Sequence, residues 1–237
     1  MERIYGVNPV REALMKGIVN KLYLSRETKD KNIRELLLLA RENKVPVVEV
    51  PREKLHAKSQ GVEADISPVK YVEIDDILAI AERKAEPLFI LVLNHLEDPQ
   101  NLGAILRSAE AFGVHGVIIP KRRAVQVTGA VAKASAGAYL KVPVARCTNV
   151  AETLRYLKEK GAWVVGADAK SKASLWDTDF KLPLALVIGG ENVGLTSHIL
   201  RECDFTVSIP MVGTINSLNA SVAAALLMAE VVRQRRG

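Results

Sequence analysis

From residue 88 onward the chain repeats one pattern: a short uninterrupted apolar run, then a stretch with apolar residues at helical spacing. The runs are LFILVL (88–93), VIIP (117–120), VPVA (142–145), WVVGAD (163–168), LALVIGG (184–190) and FTVSIP (205–210). A strand wet on one face alternates apolar with polar residues, so runs this continuous belong to strands covered on both faces. Strands alternating with helices define an α/β unit built on a mostly parallel sheet. Between the strands, Asp98-Pro99 has the cap-then-proline form of a helix start, and Leu102, Ile105, Leu106, Ala109 and Phe112 form its buried stripe up to Gly113. The small residues of VTGAVAKASAGAYL (127–140) predict a second helix. Val150, Leu154 and Leu157 mark a third helix, ended by Gly161, and residues 218–235 a long closing one.

The first 86 residues read as a smaller α/β unit. Asn8 and Pro9 suit the cap and first position of a helix running through Lys16. LYLS (22–25) and VPVVEV (45–50) read as strands, flanking a helix whose face is Ile33, Leu36, Leu37 and Ala40. Pro51 restarts a short helix, and KSQGVEADI (58–66) reads as a loop. Ile74, Ile77, Leu78 and Ala81 give one more amphipathic helix before a boundary near Glu86-Pro87. The predicted division is a substrate-binding unit over 1–72, a linker over 73–86 and a catalytic unit over 87–237.

Charge is distributed in the same blocks. Residues 1–62 hold 13 Lys and Arg against 8 Asp and Glu, residues 63–86 hold 3 against 7, and residues 87–237 hold 17 against 12. Two basic blocks around an acidic stretch fit two surfaces gripping one polyanion, and also fit ordinary solvated helix faces. No apolar run reaches the ~20 residues of a membrane span, and the opening MERIYGVNPVREAL lacks the basic-then-apolar pattern of a secretory leader. Cys147 and Cys203 form no CxxC pair, so a reducing cytoplasm is the expected setting. His56, His95, His115 and His198 show no metal-ligand spacing, and no metal is expected.

Three segments carry polar groups that a buried α/β core does not require. NLGAILR (101–107) places Asn101, Gly103 and Arg107 on one helix. Glycine there permits close backbone approach, and arginine supplies a fixed cation with a planar donor fork. IGGENVGL (188–195) follows a buried strand with Gly189, Gly190 and Glu191, at the strand end where open sheets bind ligands. It is no GxGxxG motif, and Leu195 stands where a phosphate-binding loop needs lysine, which disfavours ATP and dinucleotides. SIPMVGTINSLNASVA (208–223) opens the closing helix with Ser217, Asn219 and Ser221. Simple capping explains one of these three, not all. Lys121, Arg122 and Arg123, and the RQRR tail at 233–236, are either phosphate contacts or solvated charge.

Together, in this order and spacing, the three segments resemble the SpoU (TrmH) family of SPOUT RNA methyltransferases. The GVNPVREAL opening and the QGVEA loop resemble the substrate-binding domain of the RlmB type. The resemblance implies a C-terminal trefoil knot, which periodicity does not reveal, and a ribosomal-protein-like RNA-binding module at the N-terminus. It implies S-adenosylmethionine as cofactor, held by Gly189, Gly190, Ile209 and Leu218. It makes Arg107, Asn101, Glu191, Ser217 and Asn219 the catalytic set, with Arg107 near the partner subunit's cofactor in a homodimer. The expected activity is methylation of a ribose 2′-hydroxyl, foremost a guanosine of 23S rRNA. The alternatives are a transfer RNA or another ribosomal loop, or a non-catalytic RNA-binding assembly factor. Neither a membrane nor DNA is an expected partner.

Overall fold

The computed structural model describes residues 2–27, 31–67, 70–190 and 194–236. The first unit holds β1 (Glu2–Tyr5), α1 (Val7–Met15), β2 (Val19–Ser25), α2 (Lys31–Glu42), β3 (Val47–Val50) and β4 (Val62–Ile66). Its sheet runs β1-β4-β2-β3, with β4 antiparallel to both neighbours and β2 parallel to β3. The two helices close over one face, burying Val10, Leu14, Leu22, Leu36, Val62 and Ala64 completely.

Two expectations are corrected here. The predicted loop 58–66 contains β4, an interior strand. Glu63 and Asp65 disguise it, because acids are seldom buried unless paired. Both are buried here at 3% and 2% exposure. Asp65 accepts from Arg3 Nε at 2.8 Å and from the Tyr23 hydroxyl at 2.8 Å. Glu63 accepts from the His56 backbone N–H and pairs with Arg3. The second correction concerns α1, whose cap is Gly6 (φ 95°) rather than Asn8. Asn8 lies inside the helix, where its oxygen accepts from Arg11.

The second unit continues with α3 (Ile74–Lys84), β5 (Phe89–Asn94), α4 (Pro99–Ala111), β6 (Gly116–Pro120), α5 (Gly129–Ala134), β7 (Val144–Cys147), α6 (Val150–Glu159), β8 (Trp163–Ala167), β9 (Leu184–Gly189), α7 (Ser197–Glu202), β10 (Phe205–Val207) and α8 (Ala220–Arg236). All six strands are parallel, in the order β10-β8-β9-β5-β6-β7. Strand β5 shows the doubly covered pattern. Phe89, Leu91 and Leu93 face the layer that includes α4 and α8, and Ile90 and Val92 face the layer that includes α3 and α6.

The segment 73–86 is therefore no linker. Ile77 and Ala81 of α3 are buried against Ile90, Ile118 and Ala145, and a Cβ at Gly116 would run into Ile77. Its physical place is in the second unit, and the change of unit falls before Ile74 rather than at Glu86-Pro87. The helix over 127–140 is also shorter than expected. It stops at Ala134, because Ala136 (φ 49°) and Gly137 (φ 89°) turn left-handed before a 3-10 turn over Ala138–Leu140. The start of α4 follows the sequence reading, with Asp98 Oδ1 accepting from Gln100 N at 3.0 Å.

The two units are fastened together by buried polar groups. The Tyr71 hydroxyl donates to Asn20 Oδ1 at 2.7 Å and accepts from Val127 N at 3.0 Å. Asn20 Nδ2 donates to Val127 O at 3.1 Å. Arg146 lies 4.2 Å from the Tyr71 ring centroid and donates to Val19 O at 3.1 Å. Val72 pairs with Ala145, so the connecting segment covers the edge of β7.

Candidate active site

Strand order reverses beside β5, where Asn94 at its carboxyl end pairs with Gly189 of β9. Open α/β sheets bind ligands in the crevice at such a point. A cavity of about 140 Å³ opens there, beneath the carboxyl ends of β8 and β9 and the start of α8. It brings together Gly189, Gly190, Ile209, Ser217 and Leu218, all singled out from sequence. Ile188, Val207 and Leu227 give it apolar walls, and Asp168 is its acid.

The glycines have a steric reason. A Cβ at Gly189 would overlap the Gly194 backbone, and one at Gly190 would overlap the His95 carbonyl. Both neighbours are main chain, which cannot move aside as a side chain does. Gly190 N donates to Asn94 O at 2.9 Å and its carbonyl accepts from Gly194 N at 2.8 Å, which folds the loop back on itself. Glu191 lies outside the described residues.

The first and third motifs meet directly. Asn219 caps α8, its Oδ1 accepting from Ser221 N at 2.9 Å and from Ser221 Oγ at 2.6 Å. Its remaining amide donates to Asn101 Oδ1 at 3.0 Å. Capping alone would leave that amide to water; here it ties α8 to the buried Asn101 of α4. Gly103, two residues along α4, lets α5 approach so closely that any Cβ would overlap Ala134. Arg107 is not brought to the cavity of its own chain. It is exposed on α4, ~9 Å along the helix axis from Asn101.

Other sequence candidates have structural work instead. Arg235 of the basic tail donates to the carbonyls of Pro87, Leu88, Phe180 and Leu182, clamping α8 to the segments that lead into β5 and β9. Arg233 pairs with the buried Glu230. Burial pushes the Cys203 thiol up to about 11, and raises Cys147 likewise, so neither is a ready nucleophile. Asp168 was missed from the cavity, and so were Asn94 and His95, which lie outside its lining. Their signal was a polar residue at or just beyond the carboxyl end of an apolar strand.

Lys21 and Tyr23 of the first unit and Lys121, Arg122 and Arg123 of the second line a shared cleft of about 720 Å³. Desolvation, then repulsion from Arg146, lowers the Lys121 ammonium below the usual lysine range. Cations crowded this way favour a polyanion.

The fold and site thus define a two-unit α/β protein, with a small-molecule cavity at the switch point of a parallel sheet and a basic cleft between its units. Residues 88–229 match the SpoU rRNA Methylase family, and residues 3–72 match the family described as RNA 2′-O ribose methyltransferase substrate binding. The chain belongs to the SpoU (TrmH) family of RNA methyltransferases. It is 46% identical over 237 residues to a Bacillus subtilis (strain 168) protein provisionally named TrmH family tRNA/rRNA methyltransferase YacO, covering 98% of this chain and 95% of the other. A Staphylococcus aureus (strain COL) protein with the same provisional family name is also 46% identical, over 98% of this chain and 96% of that one. Among solved structures, the SpoU methyltransferase AviRb from Streptomyces viridochromogenes, in complex with AdoMet, superposes with a TM-score of 0.65 at 30% identity, covering 99% of this chain and 90% of that one. The family's cofactor is S-adenosylmethionine. The cavity suits it chemically: apolar walls for a flat base, a glycine turn with no side chains to block close approach, and one carboxylate.

Proposed function

We propose that this protein methylates the 2′-hydroxyl of a guanosine in 23S rRNA, acting as a cytoplasmic homodimer. The general activity, RNA ribose 2′-O-methylation, follows from the family. The observation that carries the ribosomal target is the first unit, fastened through Tyr71, Asn20 and Arg146 so that its Lys21 and Tyr23 face Arg122 and Arg123 across one cleft. A large folded RNA offers the extended surface that such a two-sided grip requires. A ribosomal-protein-like role for the first unit belongs to the same reading. So does a trefoil knot, for which the support is β10 lying beside β8 while α8 returns to pack on α4 and β9.

A ribose hydroxyl is a weak nucleophile until its proton is removed or strongly polarised. S-adenosylmethionine, when bound, supplies a methyl already activated as a sulfonium. The chain's part is to align the hydroxyl and to stabilise charge developing on its oxygen. In this reading Gly189, Gly190, Ile209 and Leu218 hold the cofactor. Asn101, Glu191, Ser217 and Asn219 shape the shared pocket, with the Asn219–Asn101 bond joining its two sides. Arg107 orients the ribose phosphate and stabilises the alkoxide. A guanidinium is a poor base and a good donor of fixed charge, which suits this role. Arg107 is exposed and does not line its own chain's cavity, so in this reading it serves a partner's. Met211, Val212, Ile215, Leu218, Val222 and Leu226 are large apolar side chains exposed on and before α8, the surface a second copy would cover.

The test is transfer of labelled methyl to unmodified 23S rRNA, 16S rRNA and bulk transfer RNA offered separately, with products mapped by alkali resistance. One alkali-resistant guanosine linkage in 23S rRNA alone is the expected result. Incorporation confined to transfer RNA overturns the target. Arg107→Ala protein that folds, binds cofactor and retains full transfer removes Arg107 from the mechanism.

A further inference from the structure

On the opposite face of the sheet from the cofactor cavity lies a second cavity, of about 490 Å³, at the carboxyl ends of β5, β6 and β7. Along β5 the side chains alternate, and Asn94 falls in step with Ile90 and Val92, on the side of α6 and α7. Asn94 is only 3% exposed, lines this cavity, and its Nδ2 is one of the few buried donors with no hydrogen-bond partner among the described residues. A buried amide left unpaired is costly. Such a group in a native fold points to an acceptor supplied from outside.

The rest of the wall says what kind of acceptor. Arg122 and Arg123 line the cavity, with His95 and His198, and the first turn of the ten-residue helix α6 opens into it. Against these stands one carboxylate, Glu152. Cationic side chains and a helix N-terminus favour a phosphate, although Asn149 Oδ1 already accepts from Glu152 N in that turn. The volume falls within the ~300–1,000 Å³ of ordinary small-ligand sites, which suits a single nucleotide. Two connections place it on a path. Arg122 and Arg123 also line the cleft between the two units. His95, held at φ 55°, sets its carbonyl against Gly190 of the cofactor cavity. Arg122 and Arg123 thus join the cleft between the units to this cavity.

We propose that this cavity is a second nucleotide subsite, which takes a nucleotide of the RNA substrate other than the one methylated. Its phosphate sits on Arg122, Arg123 and the start of α6, and a carbonyl of its base accepts from Asn94 Nδ2. The proposal rests on the chain's being an RNA methyltransferase, and not on which RNA is methylated.

The test uses the full-length protein and two variants. Asn94→Ala removes the donor, and Thr148→Trp obstructs the cavity from its exposed rim. Binding of a fluorescein-labelled, mixed-sequence single-stranded RNA of about 12 nucleotides is read by anisotropy, and S-adenosylmethionine affinity by calorimetry. Both variants are expected to weaken RNA binding fivefold or more, with cofactor affinity within twofold of wild type. RNA affinity within twofold of wild type for both variants overturns the subsite. Should Asn94→Ala lower thermal stability or cofactor affinity, Thr148→Trp decides alone. Guanosine 5′-monophosphate and inorganic phosphate, added as competitors, separate the sources. Displacement of the RNA by either at micromolar concentration would make this a free-nucleotide or free-phosphate site and overturn the RNA assignment. Weakened binding in the variants, with no methylation of 23S rRNA by wild type, keeps the subsite while removing the proposed target.

Discussion

Tyr71→Phe removes one oxygen atom from the joint between the units and leaves the ring under Arg146 in place. Two buried groups lose their partner at once: Asn20 Oδ1, which accepts from the hydroxyl at 2.7 Å, and Val127 N, which donates to it at 3.0 Å. Asn20 is 3% exposed and Tyr71 8%, so water does not readily replace the missing hydroxyl. Each unsatisfied buried group costs about 1–3 kcal/mol. Relaxation of the Asn20 side chain, whose Nδ2 still reaches Val127 O, brings the total to the low end, about 2–3 kcal/mol. Chemical denaturation followed by circular dichroism should show that loss as a lower midpoint at unchanged slope. The functional effect should fall on RNA rather than cofactor. The KM for RNA should rise about fivefold or more as the first unit loses its fixed direction, with S-adenosylmethionine affinity unchanged. A loss below about 0.5 kcal/mol would show that the joint is wet or already loose, and would refute the reasoning from buried partners.

Gly190→Ala should abolish measurable cofactor binding by calorimetry, because the added methyl overlaps the His95 carbonyl, a backbone atom; wild-type affinity in that variant would contradict the packing. Asp98→Ala should cost about 1 kcal/mol of stability in urea titration through loss of the α4 cap, and an unchanged midpoint would count against capping there. Burial, opposed by the hydrogen bond to Glu86, lowers the His115 pKa below its ordinary 6.5. The ring is therefore neutral in the fold, with Nδ1 accepting from Phe89 N and Nε2–H donating to Glu86. A base with a depressed folded pKa contributes no penalty above 6.5, and stability falls as pH drops below 6.5 toward the folded value. Urea midpoints measured from pH 7.5 to about 5.5 should decline for wild type and flatten for His115→Asn; parallel curves would remove His115 from the pH response.

The order of elements in the second unit was legible because strands covered on both faces read as near-continuous apolar runs, and the chain shows six of them. The cap at Asp98 and the left-handed turns at Gly113 and Gly161 were legible too, since only local geometry decides them. So was the grouping of Gly189, Gly190, Ile209, Ser217 and Leu218, which the fold brings to one cavity. Strand β4 was hidden because its acids look solvated until Arg3 and Tyr23, far away in the chain, come to meet them. Helix α3 looked like a linker because amphipathicity does not say which core a helix joins. The meeting of Asn219 with Asn101, the use of Arg235 as a clamp on four carbonyls, and the unpaired amide of Asn94 are each settled by residues distant in sequence. Local pattern and residue chemistry are carried by neighbours along the chain, so the sequence determined elements and motifs. Pairing, desolvation and the direction of a side chain depend on what packs against it, and only the tertiary structure decided those.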